Sequence, residues 1–124
     1  MSRLGIRQLV IALAITAPNF LLAQTVPMRS AAVQEVLEAV EKNDLAGAAA
    51  AAKKGRAAGD AGATYLLGQM HELGKGVEKV DLGAAFALFE ESARGGTPEG
   101  MTAVARCLEK GLGTKPNFDK AMFY

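Results

Sequence analysis

The sequence has no tryptophan, one cysteine and one histidine, and aromatic residues make up 6% of its 124 positions. A single cysteine excludes an intrachain disulfide scaffold and any multi-cysteine zinc site. A single histidine excludes the paired-histidine helical zinc motif. Neither sign of charge dominates: 14 Lys and Arg stand against 13 Asp and Glu, so no basic excess favours nucleic acid. Catalytic signatures are missing as well. No Ser is followed three residues on by Lys, and no Gly-x-Ser-x-Gly occurs. What remains is a 50% hydrophobic chain whose apolar content is mostly Ala, Leu, Val and Met, a composition suited to closely packed helices.

Met1 to Ala23 reads as a secretory signal peptide. Arg3 and Arg7 give the positive start, Leu9–Ala17 is the apolar run, and Phe20-Leu21-Leu22 leads to a small-residue site after Ala23. Ala17 offers a second site. Left uncut, the segment would act as a membrane anchor, although Pro18-Asn19 interrupts it well short of the roughly 20 apolar residues of a spanning helix. Cleavage takes two of the 14 basic residues and leaves 12 against 13 acidic ones. The mature chain is therefore expected in the periplasm or secreted, with Cys107 in an oxidising compartment and no intrachain partner.

The rest of the chain repeats. Gly74-Lys75-Gly76 returns as Gly111-Leu112-Gly113, Asp44-Leu45 as Asp81-Leu82 and Gly59 as Gly96, all at an offset of 37. One period accommodates a helical hairpin and two turns. Ser30 is placed to cap a helix carrying Val33, Val36, Leu37 and Val40 at i, i+3, i+4, i+7 spacing. Asp44 caps an alanine-rich second helix to about Ala57, and Asp60 a third to about Leu73 with Ala63, Leu66, Leu67 and Met70 on one face. Gly74 suits the left-handed position after a helix end. Asp81 opens a fourth helix with Ala85, Leu88, Phe89 and Ala93 aligned, closed by Gly95-Gly96. Thr97-Pro98-Glu99 starts a fifth, which runs to about Lys110, and a sixth begins near Phe118. The expected fold is all-α, a superhelix of stacked hairpins with about two and a half units. After the leader (1–23) and a linker (24–30), the expected units are a degenerate capping hairpin (31–60), a first full repeat (61–96) and an incomplete second repeat (97–124).

These residues resemble the Sel-one-like repeat (SLR) family, a relative of the tetratricopeptide repeat; together with the export signal, the resemblance implies a protein of the bacterial periplasm or envelope. The first full copy reads Ala63, Leu67-Gly68, His71, Gly74, Gly76-Val77, Asp81, Ala85, Leu88-Phe89, Ala93 and Gly96. His71 stands where the pattern has an aromatic residue, Leu88 where it has Trp, and Ser92 replaces the first Ala of the late pair. The second copy reads Gly100, Val104-Ala105, Leu108, Gly111, Gly113, Asn117, Ala121 and Tyr124. The pattern would run about a dozen residues past Tyr124, so Phe118, Met122, Phe123 and Tyr124 would line an apolar end. Truncation, pairing with another copy and fraying each account for such an end.

The resemblance implies a non-catalytic scaffold that holds a protein partner on its concave helical face, without cofactor, metal or nucleic acid. Membrane association would come only through an uncut leader. The candidate partner-binding residues are Tyr65, Gln69 and Glu72 on the first helix of one hairpin, and Arg106 and Glu109 at the same offset on the next. Secreted, cysteine-rich relatives described as penicillin-binding or β-lactamase proteins offer an enzymatic alternative, but they carry a cysteine pair per repeat and this chain has only Cys107. Other groups have ordinary explanations. Cys107 shares the core position of Met70, and His71 suits packing between helices. Gly74-Lys75-Gly76 is a repeat turn rather than a phosphate loop. Lys53, Lys54, Arg56, Glu90 and Glu91 suit solvated helix faces.

Overall fold

The computed structural model describes residues 30–124; the expected leader and residues 24–29 of the linker lie outside the described residues. Among the described residues six helices follow in order: α1 (Ala31–Glu41), α2 (Leu45–Ala57), α3 (Ala61–Leu73), α4 (Leu82–Arg94), α5 (Pro98–Lys110) and α6 (Phe118–Ala121). The described residues contain no strand. Every helix starts on a capping side chain. Ser30, Asp44, Asp60, Asp81, Thr97 and Asn117 each accept from the backbone N–H three residues on. Each such cap contributes about 1 kcal/mol. Gly74 and Gly111 end α3 and α5 in left-handed conformation.

Helices adjacent in sequence pack against one another throughout the described residues, from α1 on α2 to α5 on α6. The two sides of this stack differ. The first helices of the hairpins also meet, α1 with α3 and α3 with α5, whereas the backbones of α2 and α4 stay apart. Closer spacing on one side bends the stack, so α1, α3 and α5 line the inner face.

Small residues set these approaches. A Cβ on Gly68 would stand 2.7 Å from Phe89 Cε1, so α3 sits directly on the Phe89 ring. Between successive hairpins Gly55 meets Ala63, and one period later Ser92 meets Gly100: glycine is on α2 in one crossing and on α5 in the other. The turns lock the stack. A Cβ on Gly76 would lie 2.5 Å from the Leu45 carbonyl oxygen, and one on Gly113 would overlap the Leu82 carbonyl oxygen. Both contacts join the turn of one hairpin to the start of the previous hairpin's second helix. The α1–α2 connection is instead a tight turn through Asn43 at φ 59°, a conformation Asn tolerates.

The core has two parts. Val36, the α2 alanines, Leu67, Met70 and Leu88 form one; Ala85, Phe89, Val104, Cys107 and Leu108 form the other. Leu67 and Met70 thus fill the first space and Phe89 the second. Of the α1 stripe only Val36 is buried; Val33 and Leu37 are half-buried and Val40 is exposed, because α2 and α3 cover only one edge of the stripe. At the other end Phe118, Met122 and Phe123 are exposed, while Ala121 and Leu112 pack on the second core.

Two alanine substitutions separate the turn contact from the backbone cost. Gly59 lies at φ 85° with open space around it; Gly76 lies at φ 77° against a carbonyl. Gly59→Ala should lose about 1–2 kcal/mol, the left-handed strain alone. Gly76→Ala should lose roughly 1–3 kcal/mol more through the collision. Thermal melts followed by helical circular dichroism read the difference, and equal losses would show that the turn does not bear on Leu45.

Candidate interaction surface

Tyr65, Gln69 and Glu72 lie at i, i+4, i+7 on α3, on the face opposite the buried Ala63, Leu67 and Met70. Arg106 lies on α5, beside the buried Cys107. Four of the five candidate residues come together. The Tyr65 ring packs on Phe89 with centroids 5.6 Å apart, inclined at 41°, and Gln69 Nε2 donates to the Tyr65 hydroxyl at 2.8 Å. Arg106 Nη2 donates to both Glu72 oxygens at 3.1 and 2.7 Å, bridging α5 to α3 across 34 residues. Glu72 is the more enclosed partner, its side chain 18% exposed against 39% for Arg106. A pair at such partial exposure contributes on the order of 1 kcal/mol or less. Glu109 is exposed on α5 and makes no side-chain hydrogen bond or ion pair among the described residues.

The electrostatics follow this arrangement. Burial pushes the Tyr65 phenol above its ordinary range. The Arg106 charge works against that shift, and Glu99 and Glu72 add to it. Arg106 is held charged chiefly by its hydrogen bonds to Glu72.

Beside this strip runs a groove between α1 and α3. One section, about 550 Å³, is lined by Val33, Leu37, Tyr65 and Leu66 and closed by Thr97–Glu99. A second, about 390 Å³, continues past Val40, Gln69 and Leu73 to Lys75. The sections share Leu37 and Leu66. By helical spacing Val33, Leu37 and Leu66 belong to apolar helix stripes, and only the packing of α1 beside α3 places them in a groove. The available signal was the breadth of the α1 stripe, four apolar residues where the packed neighbours bury one.

The remaining candidates have structural roles. Cys107 is 2% exposed in the second core, and burial pushes its thiol above the ordinary range. Ser92 is fully buried. Its hydroxyl bonds the Ala61 carbonyl at 2.7 Å and the Thr97 hydroxyl, joining the start of α3 to the cap of α5. Glu91 pairs with Arg56 at 2.8 Å across the gap between α2 and α4; Glu90 pairs with Lys120, and Lys54 with Glu35. His71 lies by the same gap, near Leu67 and Leu88, and its Nδ1 is buried without a hydrogen-bond partner. No group of three or more His, Cys, Asp or Glu able to hold a metal stands among the described residues. No helix among them is long and apolar enough to cross a membrane.

Comparison with known proteins adds sequence evidence. The model of the Sel1 repeat matches residues 61–97 and 98–124. Chitin synthase regulatory factor 3 of Schizosaccharomyces pombe is 40% identical over 60 residues, which are 48% of this chain and 6% of that protein. The chain therefore spans only a small fraction of that relative's length. No solved structure matches the chain.

Two side chains give direct tests of the core. Native protein at pH 8 should leave Cys107 unreacted with a disulfide-exchange chromogen, and denaturant should release one thiol per chain. Rapid labelling of the folded chain would place Cys107 at the surface. His71→Phe keeps a ring between the helices and removes the orphaned nitrogen. It should raise stability by about 1 kcal/mol, read as a higher melting temperature, and no gain would show that the nitrogen has a partner in solution.

Proposed function

The chain belongs to the Sel1 repeat family, and from that premise we propose that it is an exported, non-catalytic adaptor whose inner helical face holds a protein partner. The observation that carries this reading is the unequal spacing of the stack. The helices α1, α3 and α5 meet on one side; beside their contacts they leave an elongated groove lined in part by Tyr65 and Gln69, and the Glu72–Arg106 pair ties α3 to α5. A surface built from several hairpins offers a partner area rather than a reaction centre. The yeast relative is named as a regulatory factor, a role compatible with binding rather than turnover.

Export rests on residues 1–23, with a charged start, an apolar run and a small residue at the expected cut. The intact mass of the exported protein checks it: a start at Gln24 supports cleavage, and a start at Met1 supports an anchor.

Affinity capture tests the binding reading. Residues 24–124 serve as bait against envelope extract, beside a Tyr65→Ala/Arg106→Ala bait of matched helical content. The double variant removes the ring on Phe89 and the bridge to Glu72. A protein retained by the first bait and at least tenfold depleted on the second supports the inner face as the binding surface. Equal retention on both baits, or none on either, rejects it.

A further inference from the structure

The groove has unused bonding capacity of a defined kind. Its floor is apolar: Val33, Leu37 and Leu66 line it, with the exposed Val40 and Leu73 further along. The Tyr65 hydroxyl accepts from Gln69, and its own hydrogen has no acceptor among the described residues. At one end stands Glu99, exposed and in no ion pair among the described residues. Glu99 lies in the first turn of α5, beside the positive end of the helix dipole. Asp60, the α3 cap, lines the same end. Two carboxylates against two helix N-termini of about half a positive charge each leave roughly one negative charge there. Glu72, the other acid of this face, is already neutralised by Arg106. The groove therefore offers apolar contact, one hydrogen-bond donor and an unpaired carboxylate at the Glu99 end, with the exposed Lys75, in no ion pair among the described residues, at the far end.

Resting on the reading that this face binds protein, we propose that the occupant of the α1–α3 groove is a short apolar peptide segment with Lys or Arg at the end that meets Glu99. Its aliphatic side chains lie on Val33, Leu37 and Leu66, a backbone carbonyl accepts from the Tyr65 hydroxyl, and its cation pairs with Glu99. From Val33 to Val40 the groove follows two helical turns, about 10.5 Å, enough for three or four extended residues. A segment with its anion at this end would set it against Glu99 and Asp60, while Lys75 at the far end repels a cation placed there.

The test uses three fluorescent decapeptides and the 24–124 chain, read by anisotropy at low salt. One peptide carries three leucines followed by two arginines. The second ends in two glutamates instead, and the third has serines in place of the leucines. The leucine–arginine peptide should bind at least tenfold more tightly than either of the others. Glu99→Lys should invert the preference between the two leucine peptides. Tyr65→Phe should weaken binding about threefold to tenfold, the loss of one hydrogen bond. Leu37→Ser, checked for an unchanged helical spectrum, should abolish binding of both.

Equal binding of the two leucine peptides, unchanged by Glu99→Lys but lost with Leu37→Ser, overturns the charge rule and leaves the inner-face reading standing. No peptide binding beside successful capture by the 24–124 bait overturns the proposed occupant alone. No peptide binding and no capture removes both. Concentration-dependent dimers that disappear with Leu37→Ser also overturn it, because a second copy then fills the groove.

Discussion

The stack depends on a backbone contact too close for any side chain. Gly76 lies against the Leu45 carbonyl and Gly113 against the Leu82 carbonyl, the same contact one period apart. Each joins the turn inside one hairpin to the helix start of the hairpin before it, so the contact that shapes a hairpin also sets its distance from its neighbour. The helix interiors obey the same constraint. Where hairpins cross, one partner is always glycine: Gly55 beneath Ala63, then Gly100 beneath Ser92. The exchange of glycine between the two sides preserves the spacing while leaving room for a hydroxyl in the second crossing. Ser92 uses that room to satisfy the Ala61 carbonyl and brace Thr97. A buried hydroxyl is tolerable because both of its bonds are made.

Close approach on one side has a consequence on both. Helices α1, α3 and α5 touch in succession, so their inner face is continuous; α2 and α4 diverge, and their gap is bridged by the long side chains of Arg56 and Glu91. Apolar burial follows this asymmetry. Phe89, fully buried, supports both the α3 crossing at Gly68 and the ring of Tyr65 on the inner face. The candidate surface therefore rests on the core rather than on a loop. Its Tyr65 ring packs on Phe89, a contact worth about 0.5–1.5 kcal/mol beyond area.

Much of this was legible in the sequence because it is local. Capping at Ser30, Asp44, Asp60, Asp81 and Thr97 depends on residues three apart, and the left-handed helix ends at Gly74 and Gly111 on a single residue type. The 37-residue offset gave the repeat directly, since Asp44-Leu45 and Asp81-Leu82 occupy matching helix starts. What escaped was non-local. No periodicity signals that Arg106 spans 34 residues to Glu72, or that Ser92 reaches Ala61. Helical spacing put Val33, Val36, Leu37 and Val40 on one stripe correctly, but only the position of α3 decides that Val36 is buried and Leu37 lines a groove. Tyr65, Gln69 and Glu72 share a face by register alone; their bonds to each other and to α5 required the packed structure.

That distinction bears on how the inner face works as a surface. Polar groups already paired with one another offer a ligand little, since breaking a pair costs as much as the new bond gives. Glu72 and Arg106 are such a pair, and the Gln69 amide is committed to Tyr65. They act as a rigid rail: they fix α3 against α5 and hold the Tyr65 hydroxyl in place. The groups with bonding capacity left over are the Tyr65 O–H, the Glu99 carboxylate and the half-buried aliphatic side chains of α1, and the proposed recognition rests on these. Removing part of the rail disturbs alignment, while changing Glu99 alters charge and leaves alignment intact. On the proposed reading, affinity and selectivity fall to different residues of one face, so that each can be altered without the other.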